Sequence, residues 1–289
     1  MNRAFALVEL LVALVILVSV MGIGYVAIIS SLRDQGVQEA STNVQAKLRR
    51  VVEVMTQDIR SAVLGGVINT PYVSSTTAIS FAMLDGGAGF PLSGSTATTT
   101  TVTALNSNAS SFGIANGDTL FLLDTVQNRG ILRTVTAAPV ALAGSTNQYT
   151  VTYSNCPNAT NTSVAFRVSS QGYSYNASNR RLMFQRGSTE EVVAFNITGF
   201  NIQYVYRILG GTTEQVNPSG YASGSGVLQT MSIGGSAYFL QRIVVTLSSE
   251  ERANGRNVTR TYSGQIELLG TDQQLSANNQ PFTGVVACS

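Results

Sequence analysis

The chain has no histidine and no tryptophan, a single lysine (Lys47), two cysteines and no proline before Pro71. Without histidine, Ser-His-Asp and Cys-His catalysis and every His-ligated metal site are excluded. Charge is also scarce: 11% of the 289 residues are charged, and the net charge of +2 rests on arginines spread along the chain without a concentrated block. That distribution argues against a dedicated nucleic-acid surface, which clusters its basic residues. Nucleotide-binding glycine motifs and a GxSxG nucleophile elbow are missing too.

What is present is an apolar run over residues 5–29, FALVELLVALVILVSVMGIGYVAII, with Glu9 as its only charged residue. It exceeds the roughly 20 apolar residues that cross a bilayer core. A carboxylate there costs on the order of 2.5–3.5 kcal/mol, so Glu9 calls for a dedicated partner. No Lys or Arg lies within the run. A cation would arise if the chain were cut just before Phe5, leaving an amino group and making Glu9 the fifth residue. A secretory signal peptide has a shorter apolar region, of about 7–15 residues, and a plain membrane anchor gives Glu9 no role.

The segment Ala4-Phe5-Ala6-Leu7-Val8-Glu9-Leu10-Leu11-Val12-Ala13 resembles the class III signal of type IV pilins and type II secretion pseudopilins. The resemblance implies a leader, residues 1–4, clipped by a prepilin peptidase between Ala4 and Phe5. Phe5 would be the N-methylated terminus, and Glu9 the assembly residue that faces a neighbouring subunit's amine. The family prefers glycine where this chain has Ala4. Implied partners are the peptidase, other pilin or pseudopilin subunits, an inner-membrane assembly platform, and membrane lipid before assembly. The implied place is the bacterial inner membrane with the head outside the cytoplasm, then a surface or periplasmic filament. No cofactor, metal or enzymatic activity is implied.

Beyond the run, Val37, Val44, Leu48, Val51, Met55, Ile59 and Val63 recur at helical spacing, with charged and polar residues between them. This predicts one nearly continuous helix from Phe5 to about Leu64, with Gly65-Gly66 as its stop and its second half packed on a head domain. Gly22 and Gly24 each weaken it by about 1 kcal/mol. The expected organisation is a hydrophobic membrane or filament-core helix at 5–32, an amphipathic helix at 33–64 and a β-rich head at 65–289. The fold class is therefore α+β.

In the head, β-type runs are expected at 78–84, 119–123, 131–135, 148–153, 164–168, 182–185, 192–195, 200–208, 239–247 and 258–268. Asn254-Gly255 is a strong hairpin signal, and residues 93–103, nearly all Ser, Thr, Gly and Ala, suggest an exposed loop or a sheet edge. Residues 48–62, 191–207 and 242–247 are similar to corresponding stretches of PilW-like minor pilins and the J-type pseudopilin. In an extracytoplasmic head, Cys156 and Cys288 are expected to pair, the alternative being two buried thiols.

Three other constellations carry weaker chemistry. The carboxylates Asp118, Asp124, Glu190, Glu191, Glu250 and Glu251 would have to converge to serve a hydrolase. Asn106, Asn108, Asp118 and Asp124 offer oxygen ligands for calcium but lack an ordered ligand loop. Arg180, Arg181 and Arg186, with Phe184, Tyr173 and Tyr175, could touch a DNA backbone, the alternative being a solvated strand edge. Against the filament subunit stands a single-pass anchored β-domain that acts as an adhesin, with Glu9 incidental.

Overall fold

The computed structural model describes residues 2–85, 89–104, 113–127, 129–156, 161–209, 211–222, 226–268 and 285–286. Helix α1 runs unbroken from Asn2 to Arg60, 59 residues, about 90 Å at 1.5 Å per residue. Gly22 and Gly24 do not interrupt it. A Cβ at either would meet nothing within 4 Å, so neither glycine serves a close approach inside this chain.

The helix ends four residues earlier than its apolar spacing suggests. The Ser61 N–H donates to the carbonyls of Gln57 and Asp58 (both 3.1 Å), and its hydroxyl donates to Asp58 O at 2.8 Å. These bonds satisfy the last free carbonyls. Val63 and Gly65-Gly66 consequently belong to a strand. Gly65 and Gly66 lie in a bulge, since five residue steps from Ala62 to Val67 oppose only two, from Met83 to Phe81, on the partner.

Among the described residues seventeen strands follow. They are β1 Ala62–Ile68, β2 Ala78–Leu84, β3 Phe90–Ser93, β4 Thr99–Thr103, β5 Thr119–Asp124, β6 Arg129–Thr134, β7 Val140–Ala141 and β8 Gln148–Thr152. Then come β9 Thr162–Asn176, β10 Arg181–Arg186, β11 Thr189–Ala194, β12 Ile197–Ile208, β13 Glu214–Val216, β14 Thr230–Ile233, β15 Ser236–Ala253, β16 Arg256–Glu267 and β17 Val285–Val286. The protein is thus α+β, one long helix followed by a large, almost wholly antiparallel β region.

The strands form two sheets. In the larger, the 15-residue β9 is the spine: its first half lies between β5 and β3, its second between β2 and β10. Only its first half is obvious from apolar content. The second, SSQGYSYN, joins the sheet because Gly172 lets β2 come close; a Cβ there would sit 2.7 Å from Ser80 Oγ. The Ser/Thr stretch is another departure. Thr99–Thr103 is an interior strand between β3 and β8, with Thr100 and Val102 buried, because β-branched threonines suit a pleated sheet.

The smaller sheet holds β13, β12, β15 and β14 in order, with β16 also on β15. Helix α1 lies across β15 and β16. Val44, Leu48, Val51, Val52, Met55 and Ile59 enter one core with Ile202, Tyr204, Ile243, Val245, Leu247 and Ile266 of this sheet and with Ile79, Phe81 and Tyr173 of the larger. A second core, built on β4, β5, β6 and β8, includes Leu120, Ile131, Val151, Tyr153 and Cys156 and, among the described residues, contains no helix residue.

Two expectations follow from this packing. Leu48→Ala and Met55→Ala, both at fully buried positions, should each destabilise the head by about 2–5 kcal/mol in urea unfolding. A chain starting near Arg33 should melt cooperatively, whereas one starting at Ala62, which bares the sheet, should aggregate; equal stability of the two would refute the helix-on-sheet core.

Candidate functional site

The apolar half of α1 is one candidate surface. Apart from the half-buried Ile29, the large apolar side chains of residues 11–32 are 53–72% exposed, and an 18-residue window has a mean hydropathy of 2.7 with none of it buried. This helix is long and apolar enough to cross a membrane. A contiguous apolar surface of this extent signals contact with lipid or with other helices. Ala4, Phe5 and Glu9 lie in the first turns of α1; their side chains are outside the described residues.

The second surface is the seam between helix and head, fixed by polar contacts at several levels. At its end nearest the apolar half of α1, β15 and β16 turn through Asn254-Gly255, with φ of 50° and 79°, the two-residue hairpin that this dipeptide favours. Asn254 Nδ2 donates to Arg33 O at 3.0 Å. A Cβ on Gly36 would lie 2.4 Å from that nitrogen, so a side chain here would push the Asn254 amide off Arg33 O. Further along, Arg260 Nε donates to Ser41 Oγ (2.8 Å) and Lys47 Nζ to Phe195 O (2.9 Å). Burial lowers the Lys47 pKa, with the charge of Glu251 opposing.

Val52 then packs against Gly264, where a Cβ would fall 2.4 Å from the valine. At the helix end, Tyr173 Oη donates to Asp58 Oδ2 at 2.5 Å. Neither Gly36 nor Gly264 has a local sequence signal for these roles; the partner of each is far away in the chain.

The carboxylates do not converge. Asp124 is fully buried, accepts the N–H groups of Val126 and Gln127 (3.1 and 3.0 Å), and pairs with Arg129 at 3.2 Å. Asp118 accepts the Ala115 N–H at 2.7 Å and lies 4.0 Å from Arg167. Glu190 accepts from Tyr72 Oη at 2.5 Å, and Glu250 pairs with Arg180 at 3.3 Å. Glu191 lies on β11 opposite Phe184, and Glu251 on β15 opposite Val258. Among the described residues no group of three or more His, Cys, Asp or Glu could hold a metal ion. Asn106 and Asn108 lie outside them.

The arginine–aromatic set is also dispersed. Arg180 occupies a left-handed turn (φ 50°), and Arg181 stacks 5.3 Å over Phe195. Arg186 ends β10 and is exposed. Phe184 stacks on Tyr173 at 4.8 Å as part of the main core, and Tyr175 Oη donates to Ile197 O at 3.0 Å. Tyr173 is buried in the core and Phe184 packs partly buried against it, so both are used in packing.

In the second core Arg133, 1% exposed, lies 4.0 Å over the Tyr153 ring and donates to Ala97 O at 2.6 Å. Cys156, 0% exposed, is disulfide-bonded; Cys288 lies outside the described residues. Strand β17 runs parallel to β6, pairing Val286 with Ile131, and Ile131 shares a core with Cys156. The parallel strand has no signature in the sequence, being two residues long.

Comparison with known protein families, with curated proteins and with solved structures gives no match to this chain.

The buried tyrosines set an alkaline limit. Tyr173, Tyr204 and Tyr206 have pKa values pushed well above 10, in each case chiefly by burial. Their stabilisation is complete below the unfolded pKa near 10. Above it the unfolded chain releases protons that the folded chain keeps, and stability falls by about 1.4 kcal/mol per pH unit for each group. Unfolding monitored by circular dichroism should begin above about pH 10 and should carry the ionisation of these three tyrosines with it; phenolate at Tyr173, Tyr204 or Tyr206 in a folded head would contradict it.

Proposed function

We propose that this chain is a minor pilin or pseudopilin, a structural subunit of a type IV pilus or a type II secretion pseudopilus. The observation that carries the reading is a single helix that is apolar and bare over residues 11–32 and buried against an antiparallel sheet over residues 44–59. One element thus meets two solvents, as a subunit stored in lipid and assembled through its helix requires. The placement of Glu9 after Ala4-Phe5 supplies the rest.

In this reading prepilin peptidase cuts between Ala4 and Phe5, and the new Phe5 amine is methylated. The head stands outside the cytoplasm on the inner membrane until the assembly platform lifts the subunit into a filament. There Glu9 leaves lipid and pairs with the Phe5 amine of a neighbour. The apolar helices supply most of the burial, and the charge pair sets register, because an unpaired charge in such an environment is costly. The same plan serves adhesion, motility, DNA uptake and secretion. A tip position is favoured by the second core, which among the described residues contains no helix residue and so leaves that lobe free for display. An anchored adhesin would share that lobe but would give Glu9 no role.

The head is closed by a Cys156–Cys288 disulfide in this proposal. Parallel pairing of Val285 and Val286 with β6 supports it by bringing the C-terminal end to the lobe that holds Cys156. A loop of roughly 130 residues corresponds to about 4–5 kcal/mol on the chain-entropy model. Cys288→Ser should lower stability by about 2–5 kcal/mol; an unchanged denaturation midpoint would exclude the bridge.

The deciding measurement is the intact mass and N-terminal residue of protein extracted from peptidase-positive cells. N-methylphenylalanine from Phe5 is expected, and a chain still carrying Met1 would end the assignment. Glu9→Leu should insert into membrane at least as well, being cheaper in lipid by about 2.5–3.5 kcal/mol. It should nevertheless fall at least tenfold in sheared filaments. Wild-type recovery would remove the pairing mechanism while leaving the anchor intact.

A further inference from the structure

We propose that the tip of the β15–β16 hairpin and the membrane-exit turn of α1 together form a docking site for anionic phospholipid headgroups. This rests on the reading that the apolar half of α1 spans a bilayer. Between tip and helix lies a cleft of about 320 Å³, lined by Tyr25, Val26, Ile29, Arg33, Asp34 and Arg256. Its floor is apolar and its rim carries two guanidiniums. Tyr25 and Val26 are 67% and 66% exposed, a costly surface to leave in water and an ordinary one at the edge of a bilayer.

Length arithmetic puts this cleft at headgroup level. Residues 10–32 carry no charge and extend about 35 Å along the helix, close to the ~30 Å hydrocarbon core. Arg33 therefore emerges among the phosphates. Tyr25, about 12 Å back along the axis, lies below the headgroup layer against the upper acyl chains. The hairpin is tied to that level by the Asn254–Arg33 hydrogen bond and by the absence of a side chain at Gly36.

Charge complementarity selects the occupant. Arg33, Arg252 and Arg256 are all exposed. Among the described residues none of the three is in an ion pair. Opposing them are Asp34 in the cleft and Glu251, and Glu251 lies in the field of Lys47. The tip is therefore net positive. A guanidinium grips a phosphodiester with two parallel hydrogen bonds while acyl chains cover Val26 and Ile29. The site would hold the head at a fixed height and tilt on the membrane before assembly, and the lipid would have to leave when the helix enters a filament.

The test uses the full chain in lipid nanodiscs of phosphatidylcholine alone or of phosphatidylcholine with phosphatidylglycerol, followed by hydrogen–deuterium exchange over residues 252–258. Exchange should slow in the phosphatidylglycerol discs, with each arginine contributing about five-fold in headgroup affinity. R33Q/R252Q/R256Q should abolish the difference, and R186Q, a surface arginine outside the cleft, should preserve it. Identical exchange in both lipids, or equal loss in R186Q, would overturn the docking site while leaving the span intact. Protection by inorganic phosphate in phosphatidylcholine discs would overturn the lipid assignment. A chain that does not enter the discs at all would instead overturn the membrane-spanning reading.

Discussion

The contact on which the rest of the molecule depends is the seam between the second half of α1 and strands β15 and β16. An isolated helix in water owes little of its stability to propensity; packing of an apolar face supplies most of it. Val44, Leu48, Val52 and Met55, all at most 1% exposed, provide that face. The five-stranded sheet needs the cover equally, since Ile243, Val245, Leu247 and Ile266 would otherwise meet water. Each side of the seam is thus the condition for the other. Because β10 and β9 also contribute Leu182 and Tyr173 to the same core, the larger sheet is referred to the helix as well.

Polar contacts then decide where along the helix the head sits. Apolar packing alone would tolerate a shift by a turn. Asn254 on Arg33, Arg260 on Ser41, Lys47 on Phe195 and Tyr173 on Asp58 do not. A displaced head would leave the Tyr173 hydroxyl, in a tyrosine only 2% exposed, without an acceptor, and an unmade buried bond costs about 1–3 kcal/mol. Gly36 and Gly264 act in the same sense by removing volume at the two closest approaches. The register is therefore written in single residues, whereas the burial is spread over many.

That division explains what is legible in sequence. Apolar periodicity and alternation are local properties, and they mark the helix, the stripe from Val44 to Ile59 and the ten expected β runs, each of which coincides with part of an observed strand. The Asn254-Gly255 turn is legible because its backbone demands those residue types. Where a local signal competes with a capping interaction the reading fails: Gly65-Gly66 looks like a helix stop, but Ser61 ends the helix first. Threonine-rich β4 and the second half of β9 are polar enough to pass for loops, and only their neighbours in the sheet make them strands. The Ala4, Phe5 and Glu9 motif is visible in sequence alone, since its meaning comes from the solvent around it. The hairpin–helix cleft is invisible there, because Tyr25 and Arg256 are brought together only by the fold.

The same seam gives a physical reason for the division of α1 at Arg33. Upstream of it, among the described residues, none is fully buried and only Ile29 is partly covered; downstream, Ala40, Val44 and their successors are buried every third or fourth position. Head contacts over residues 11–32 would have competed with lipid or neighbouring helices for the same apolar surface. In the proposed filament reading, such contacts would have had to break at every transfer between the two. Confining the hydrogen-bonded clamp to residues 33–58 leaves the apolar half free to exchange one low-dielectric partner for another. Little of the head's own stability is then spent in the exchange. With no proline and no interruption at Gly22 and Gly24, one continuous helix joins the two halves, so the clamp on the head and the apolar surface belong to a single element.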